Sequence, residues 1–328
     1  MFHSQRDKLV RSNATNGTIS GHPLQEIEDA LSTLKGAYAD NTLSAYKGDM
    51  TNFWAWCEAH GVPCIPAEAE VLIRYISETK EASSPATIRR RIAAIARVHR
   101  MMGYGDPTKD EPVRLALRRM HREKGRRQKQ ALGMTADIRD ALLGAAEDTL
   151  TGLRDRLLVS IAYDTLRRSS ELVKLRVENI SPVPDGGAVI LVQHSKTDQE
   201  GEGKLAYISP RTMTLVEEWS DRTGIRDGYL LRSLRKKGSE RDSLNPGSVG
   251  RIIKKLAVSA GLPGKTVKGL SGHSGRVGAA QDMAAAGIDI IAIMQAGGWK
   301  SPDMVGRYVE NLDVLRGGSY RLAMMQNR

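Results

Sequence analysis

SGHSGRVGAAQDMAAAG (271–287) and GGWKSPDMVGRYVENL (297–312) are the stretches on which the reading of this chain turns. In the first, Ser271 and Gly272 suit the N-terminal turn of a helix, where free backbone N–H groups favour an anion. His273 and Arg276 follow one turn apart on the same face, and Gly287 ends the helix. In the second, Gly297-Gly298-Trp299 makes a tight turn and Ser301-Pro302 opens a helix. Its apolar stripe is Met304, Val305, Tyr308, Val309 and Leu312. A histidine at a helix start is often only a cap or a packing residue, and Trp299 with Tyr308 can be read as plain core. A tyrosine this close to a His-x-x-Arg pair, with more arginines upstream, also fits attack on a phosphodiester without a metal.

Two further segments supply candidate chemistry. In YDTLRRSSELVKLRV (163–177), Arg168 and Glu171 lie three apart and are expected to share a helix face, whereas Arg167 falls elsewhere. Taken alone, that pair reads as a surface ion pair. The strand AVILVQH (188–194), a polar turn and the strand LAYIS (205–209) form a hairpin, with Lys196 at the start of the turn. Lys196 is either a solvated lysine or a proton donor carried on the hairpin. Helices are predicted over 135–146, 152–166, 210–223, 246–260, 273–286 and 301–312. The expected fold class is mainly α with a small antiparallel β-sheet.

Upstream lies a different texture. Residues 1–22 are rich in Ser, Asn, Thr and Gly and read as a flexible tail. Residues 23–124 read as a helical domain. A helix opens near Asn41 with Leu43, Tyr46, Met50, Phe53 and Trp54 at helical spacing and stops at Gly61-Val62-Pro63; another runs over 67–80. A third begins at Ser84-Pro85, its stripe formed by Ile88, Ile92, Ile95 and Met102, with Arg89, Arg90, Arg91, Arg97 and Arg100 around the rest. A fourth, near 112–127, carries Arg118, Arg119, Arg122, Arg126 and Arg127. Residues 125–133 read as a basic linker and 134–328 as the second domain.

The chain of 328 residues holds 49 Lys and Arg against 38 Asp and Glu, a net charge of +11 that favours a polyanionic partner. A charge run is usually a solvated face, but two successive basic helices suit a nucleic-acid grip, one in a groove and flanking arginines on phosphates. Only Cys57 and Cys64 occur, in no zinc pattern, and the N-terminus lacks the apolar core of a signal peptide. A soluble protein of a reducing cytoplasm is expected. No Gly-x-x-x-x-Gly-Lys loop and no clustered carboxylates point to a nucleotide or Mg²⁺, so no cofactor and no metal are expected.

Together the segments resemble the tyrosine recombinases of the phage integrase superfamily, and within it the Cre type. The resemblance is carried by AYDTLRRSSE with RVENI, HSKT, SGHSGRVGAA followed by DMA, IMQAGGW, and Tyr308 nine residues after Trp299. It implies an N-terminal core-binding domain and a C-terminal catalytic domain that form a C-shaped clamp on DNA. It also implies roles residue by residue: Arg168 and Arg276 as the catalytic arginines, Glu171 orienting its neighbours, and Lys196 as the hairpin lysine. His273 pairs with Arg276, Trp299 stands where many relatives have His, and Tyr308 is the nucleophile.

The implied product is a 3′-phosphotyrosine, formed without metal or ATP. The implied partner is duplex DNA with inverted-repeat half-sites, bound by a dimer on one site and a homotetramer on two, in a bacterial or phage-encoded, nucleoid-associated setting. Gly275 departs from the usual Ala before the second arginine, and the turn after Lys196 differs from the pattern. A type IB topoisomerase or telomere resolvase, which share the Arg, Lys, Arg and Tyr chemistry, and a catalytically silent DNA-binding protein on the same scaffold are the competing readings.

Overall fold

The computed structural model describes residues 23–125, 130–193, 203–234, 243–310 and 317–328. The chain divides into two compact units, Met1–Lys129 and Gln130–Arg328.

The first unit is built of α1 (Pro23–Ser32), α2 (Asp40–Ala59), α3 (Ala69–Thr79), α4 (Pro85–Met101) and α5 (Glu111–Lys124). α4 starts where the Ser-Pro pair predicts: the Ser84 hydroxyl accepts from the Thr87 amide and Pro85 takes the first helical position. The core collects one face from each helix, including Met50, Phe53 and Cys57 of α2, Leu72, Tyr75 and Ile76 of α3, and Ile88, Ile92 and Ile95 of α4. α5 buries only Val113 and Met120. The basic helix stops at Lys124 because Gly125, with φ of +77°, turns the chain away. Cys57 and Cys64 are free thiols inside this core.

The second unit holds α6 (Ala136–Gly144), α7 (Leu150–Thr165), α8 (Ser169–Leu172), three strands, and then α9 (Pro210–Thr223) and α10 (Pro246–Ser259). α11 (Gly264–Gly269), α12 (Ser274–Ala285), α13 (Ile290–Gly297), α14 (Pro302–Val309) and α15 (Gly318–Met325) complete it. α7 is buried nearly all round, through Leu153, Leu157, Leu158, Val159 and Ile161, which marks it as the central helix. The strands β1 (Ile180–Pro182), β2 (Ala188–Val192) and β3 (Lys204–Ile208) form one antiparallel sheet in that order. Ile180 pairs with Ile190, and Ala188 with Ile208. Alternation holds on β2 and β3: Ala188, Ile190, Val192, Ala206 and Ile208 face the core, while Leu205 and Tyr207 are exposed. β1 adds a strand to the expected hairpin; three residues ending in proline are too short to show a period.

α12 packs closely against α7, where a Cβ on Gly275 would stand 3.0 Å from the Ala162 carbonyl oxygen, and against the residues that precede α6. A Cβ on Gly278 would lie 2.0 Å from the Met134 carbonyl oxygen, so no side chain fits there. The Met134 amide donates to the Ser274 carbonyl at 2.8 Å, and the Leu132 amide to the Gly269 carbonyl at 2.9 Å. These bonds sew the start of the unit to the end of α11 and the first residue of α12. A smaller cluster of Leu166, Ala279, Ala280, Ile293, Trp299 and Val305 joins α12, α13 and α14, with Tyr308 packed at its margin. No described helix is long and apolar enough to cross a membrane.

Gly278→Ala is expected to destabilise the second unit by about 1–3 kcal/mol, because the clash is with backbone and cannot be relieved by a rotamer. Gly144→Ala, which meets no atom within 4 Å, is the control and should leave the urea midpoint unchanged or slightly raised.

Candidate active site

The site begins at a strained turn. α7 ends at Thr165, and Leu166 adopts the left-handed conformation (φ 52°, ψ 27°) while fully buried. For an L-residue with a Cβ this costs about 1–2 kcal/mol. The turn aims the Leu166 carbonyl at Arg276, whose Nη1 donates to it at 2.6 Å. Arg168 follows and is not on a helix face shared with Glu171, as the spacing suggests. α8 starts only at Ser169, and Arg168 is the residue before it. Its amide donates to Glu171 Oε2 at 3.1 Å and its Nη1 to Oε1 at 2.7 Å, so Glu171 caps the helix start and holds the guanidinium together. Burial alone would raise the Glu171 carboxyl, but the hydrogen bonds from Arg168 and the nearby Arg167 charge outweigh it and keep it below the ordinary range.

His273 stands at the mouth of α12 in a turn that closes on itself. The Ser271 amide donates to Ser274 Oγ, the His273 amide to Ser271 Oγ, and the Ser274 amide to the Ser271 carbonyl. Three N–H groups of this turn, those of Ser271, His273 and Ser274, are therefore already bonded. The chemistry lies in the ring. His273 Nε2 is 2.9 Å from the Tyr308 hydroxyl, and the two rings are tilted at 5.6 Å. Burial first, then the charges of Arg276 and Arg168, push the imidazole down to about 4, so it is neutral at pH 7.

Arg276 is 2% exposed. Burial and the like charge of Arg168 push it down to about 10, which leaves it a cation at neutral pH. Its guanidinium carbon sits 4.2 Å over the Trp299 ring. Nε and Nη2 of Arg276 and Nε1 of Trp299 are buried donors with no acceptor among the described residues. Natively folded chains seldom leave such groups unmatched, and where they do a ligand-binding role is a leading explanation.

Two caps place Trp299 and Tyr308. Gly298 (φ 65°, ψ 38°) closes α13 in the left-handed region, and the Trp299 amide returns to the Met294 carbonyl at 2.9 Å. Ser301 Oγ accepts from the Asp303 amide and Pro302 opens α14. The Tyr308 ring lies 5.2 Å from Trp299, and its carbonyl accepts from Gln281 Nε2 at 3.0 Å.

The structure thus brings Arg168, Glu171, His273, Arg276, Trp299 and Tyr308 to one place. Lys196 lies outside the described residues, as do Arg126 and Arg127. The first unit's remaining arginines divide. Arg90 grips the buried Asp49 through two bonds of 2.8 Å, and Arg91 donates to Ser83. Arg97 covers the Tyr38 ring, Arg100 pairs with Asp106, and Arg118 lies 3.6 Å from Glu111. Arg89, Arg119 and Arg122 are exposed. Sequence reasoning missed Gln281 and Arg167. A glutamine one helical turn and a residue beyond Arg276 carries no signal of its own. Helical spacing run through residue 166 points Arg167 away from the site, but the helix has already ended at Thr165. Among the described residues, no three His, Cys, Asp or Glu side chains group so as to hold a metal ion.

Residues 133–314 match the phage integrase family, and residues 29–102 match its N-terminal SAM-like domain. The chain belongs to the phage integrase family. It is a tyrosine recombinase, an enzyme of DNA strand transfer. An integrase/recombinase XerD homolog of Selenomonas ruminantium is 34% identical over 300 residues, covering 86% of this chain and 85% of that protein. Recombinase Cre of Escherichia phage P1 is 30% identical over 303 residues, covering 87% and 88%. The fold matches a lambda integrase tetramer bound to a Holliday junction, with a TM-score of 0.62, 16% identity, and coverage of 87% of this chain and 76% of that one.

In the free recombinase His273 should titrate near pH 4 by NMR; a midpoint near the ordinary imidazole value would contradict the burial argument. Its folded value lies below the unfolded one, so the unfolded chain takes up the proton first as the pH falls. The stability this neutral ring contributes is present above about pH 6.5 and is lost on the way down to about 4.

Proposed function

We propose that this recombinase cleaves and rejoins duplex DNA at inverted-repeat sites through a 3′-phosphotyrosine at Tyr308, with neither metal nor ATP. One observation carries the reading: the Tyr308 hydroxyl lies 2.9 Å from the neutral His273 imidazole, beside the buried, unmatched donors of Arg276 and Trp299. A phenol with a pKa of about 10 is a poor nucleophile at neutral pH unless its proton is taken as it attacks. His273 Nε2 is the acceptor within reach. Arg276 Nε and Nη2, Trp299 Nε1 and the Arg168 guanidinium donate to the non-bridging oxygens, whose charge must be accommodated in the transition state. Glu171 keeps Arg168 aimed. As the Tyr308 oxygen–phosphorus bond forms, the bond from phosphorus to the 5′ oxygen breaks, and Lys196 supplies that oxygen with a proton. One phosphodiester replaces another, so rejoining needs no outside energy.

Binding falls to the basic surface. Arg89 on α4 and Arg119 and Arg122 on α5 are exposed and meet phosphates, with Arg118 beside them on α5, and Arg126 and Arg127 add positive charge toward the same partner. Arg90, Arg91, Arg97 and Arg100 act first on their own bundle and contribute to the field as a whole. Assembly as a dimer on one site and a tetramer on two is supported by α15. That helix buries none of its residues and exposes Tyr320, Leu322, Met324 and Met325, apolar surface that a neighbouring subunit would cover. The setting is the cytoplasm, on the nucleoid.

With a nicked suicide substrate in EDTA and without ATP, wild type should form an SDS-stable protein–DNA adduct and Tyr308→Phe none, while both shift DNA on gels. An absolute Mg²⁺ requirement, or an adduct from the Phe variant, would sink the mechanism. Truncation after Asn311 should preserve half-site binding and weaken the tetrameric complex; unaltered recombination would refute the role given to the tail.

A further inference from the structure

We propose that Arg167 is a positioning residue of this active site, a buried brace joining the turn that sets Arg168 and Arg276 to the turn that sets Trp299. The proposal rests on the active-site reading above. Arg167 is 3% exposed. Its Nε donates to the Thr165 carbonyl at 2.6 Å, and its Nη2 to the Ala296 carbonyl. Thr165 is the last residue of α7, and Ala296 lies in the last turn of α13. Both carbonyls belong to helix C-termini, which lack amide partners and carry partial negative charge. One planar fork therefore satisfies two helix ends at once, a geometry a lysine cannot reproduce. A Cβ on Gly298 would stand 3.5 Å from Nη1, so the backbone of the Trp299 turn packs directly on the guanidinium.

What the brace connects gives it meaning. On one side Thr165 leads into Leu166, whose carbonyl fixes Arg276, and then into Arg168. On the other, Ala296 leads through Gly297 and Gly298 to Trp299. All the phosphate-facing donors assigned above therefore hang from two turns that Arg167 holds together. The charge is an expensive choice for such a place. It is buried beside Arg168 and its hydrogen-bond partners are carbonyls; among the described residues the charge that offsets it is that of Glu171. Met keeps much of the arginine's volume but leaves both carbonyls without this donor, so some loss of stability is expected beside any loss of placement. The rate constant of the folded fraction, read well below the melting temperature, separates placement from stability.

The experiment uses full-length wild type, Arg167→Met and Arg167→Lys, each also in a Trp299→Phe background, with Tyr308→Phe as the adduct-negative control. Arg167→Met should bind half-site DNA as wild type does and react to full amplitude. Its single-turnover rate constant for adduct formation should be about ten- to a hundredfold lower, the order of loss that misplacement of a reacting group produces. Arg167→Lys should recover little of it. In the Trp299→Phe background the same substitution should cost distinctly less, because part of what the brace holds is already gone. In the free protein, hydrogen exchange at the Gly298 and Trp299 amides should quicken. An unchanged rate constant, an equal factor in both backgrounds, or a loss confined to melting temperature and burst amplitude would overturn the proposal. Should the Met variant fail to fold, the Lys variant decides by the same criteria. If wild type forms no adduct, the recombinase mechanism falls, and the exchange measurement alone still judges the brace.

Discussion

The bond from Arg276 to the Leu166 carbonyl is the constraint around which the site is arranged. It takes a guanidinium that is 2% exposed and anchors one of its nitrogens, leaving the other two to face the place where Tyr308 and Trp299 meet. The left-handed turn that presents this carbonyl is unfavourable for leucine, and the surrounding contacts keep it in place. Glu171 then fixes Arg168 immediately downstream, and Ser169 Oγ reaches the Gly272 carbonyl at 2.9 Å, locking the His273 turn to the same point. Few degrees of freedom remain by the time Tyr308 arrives on α14.

Most of this was legible in the residues because each element carries its own start and stop signals. Ser84-Pro85 and Ser301-Pro302 sit where helices begin, and Gly287 and Gly298 just past where α12 and α13 end. The active constellation was legible for a different reason: His273, Arg276, Trp299 and Tyr308 lie within one continuous stretch and need only three helices to meet. What stayed hidden depends on departures from periodicity. Helical spacing carried past Thr165 put Arg168 and Glu171 on a shared face and Arg167 off it, whereas a single left-handed residue makes the first pair a cap and buries the other arginine. Short elements such as β1, α8 and α11 have too few residues to display a period at all.

The charge of the chain has two uses that composition cannot separate. In the first unit, Arg90 with Asp49, Arg100 with Asp106 and Arg97 over Tyr38 stabilise the bundle. Asp49 is 2% exposed, so its two charge-assisted bonds to Arg90 matter more than a surface pair would. A sequence shows that α4 is crowded with arginine; only the fold shows which ones already have a carboxylate or an aromatic face beside them.

His273 has one more consequence. Its imidazole is weakened partly by the arginines at its side, so whatever neutralises those arginines returns basicity to the ring. On the mechanism proposed above, a polyanion entering between them would strengthen the group that takes the tyrosine proton. Such a site is keyed to charge rather than to acidity. With the imidazole held down to about 4, shifts of a unit or so around neutral pH leave its charge unchanged.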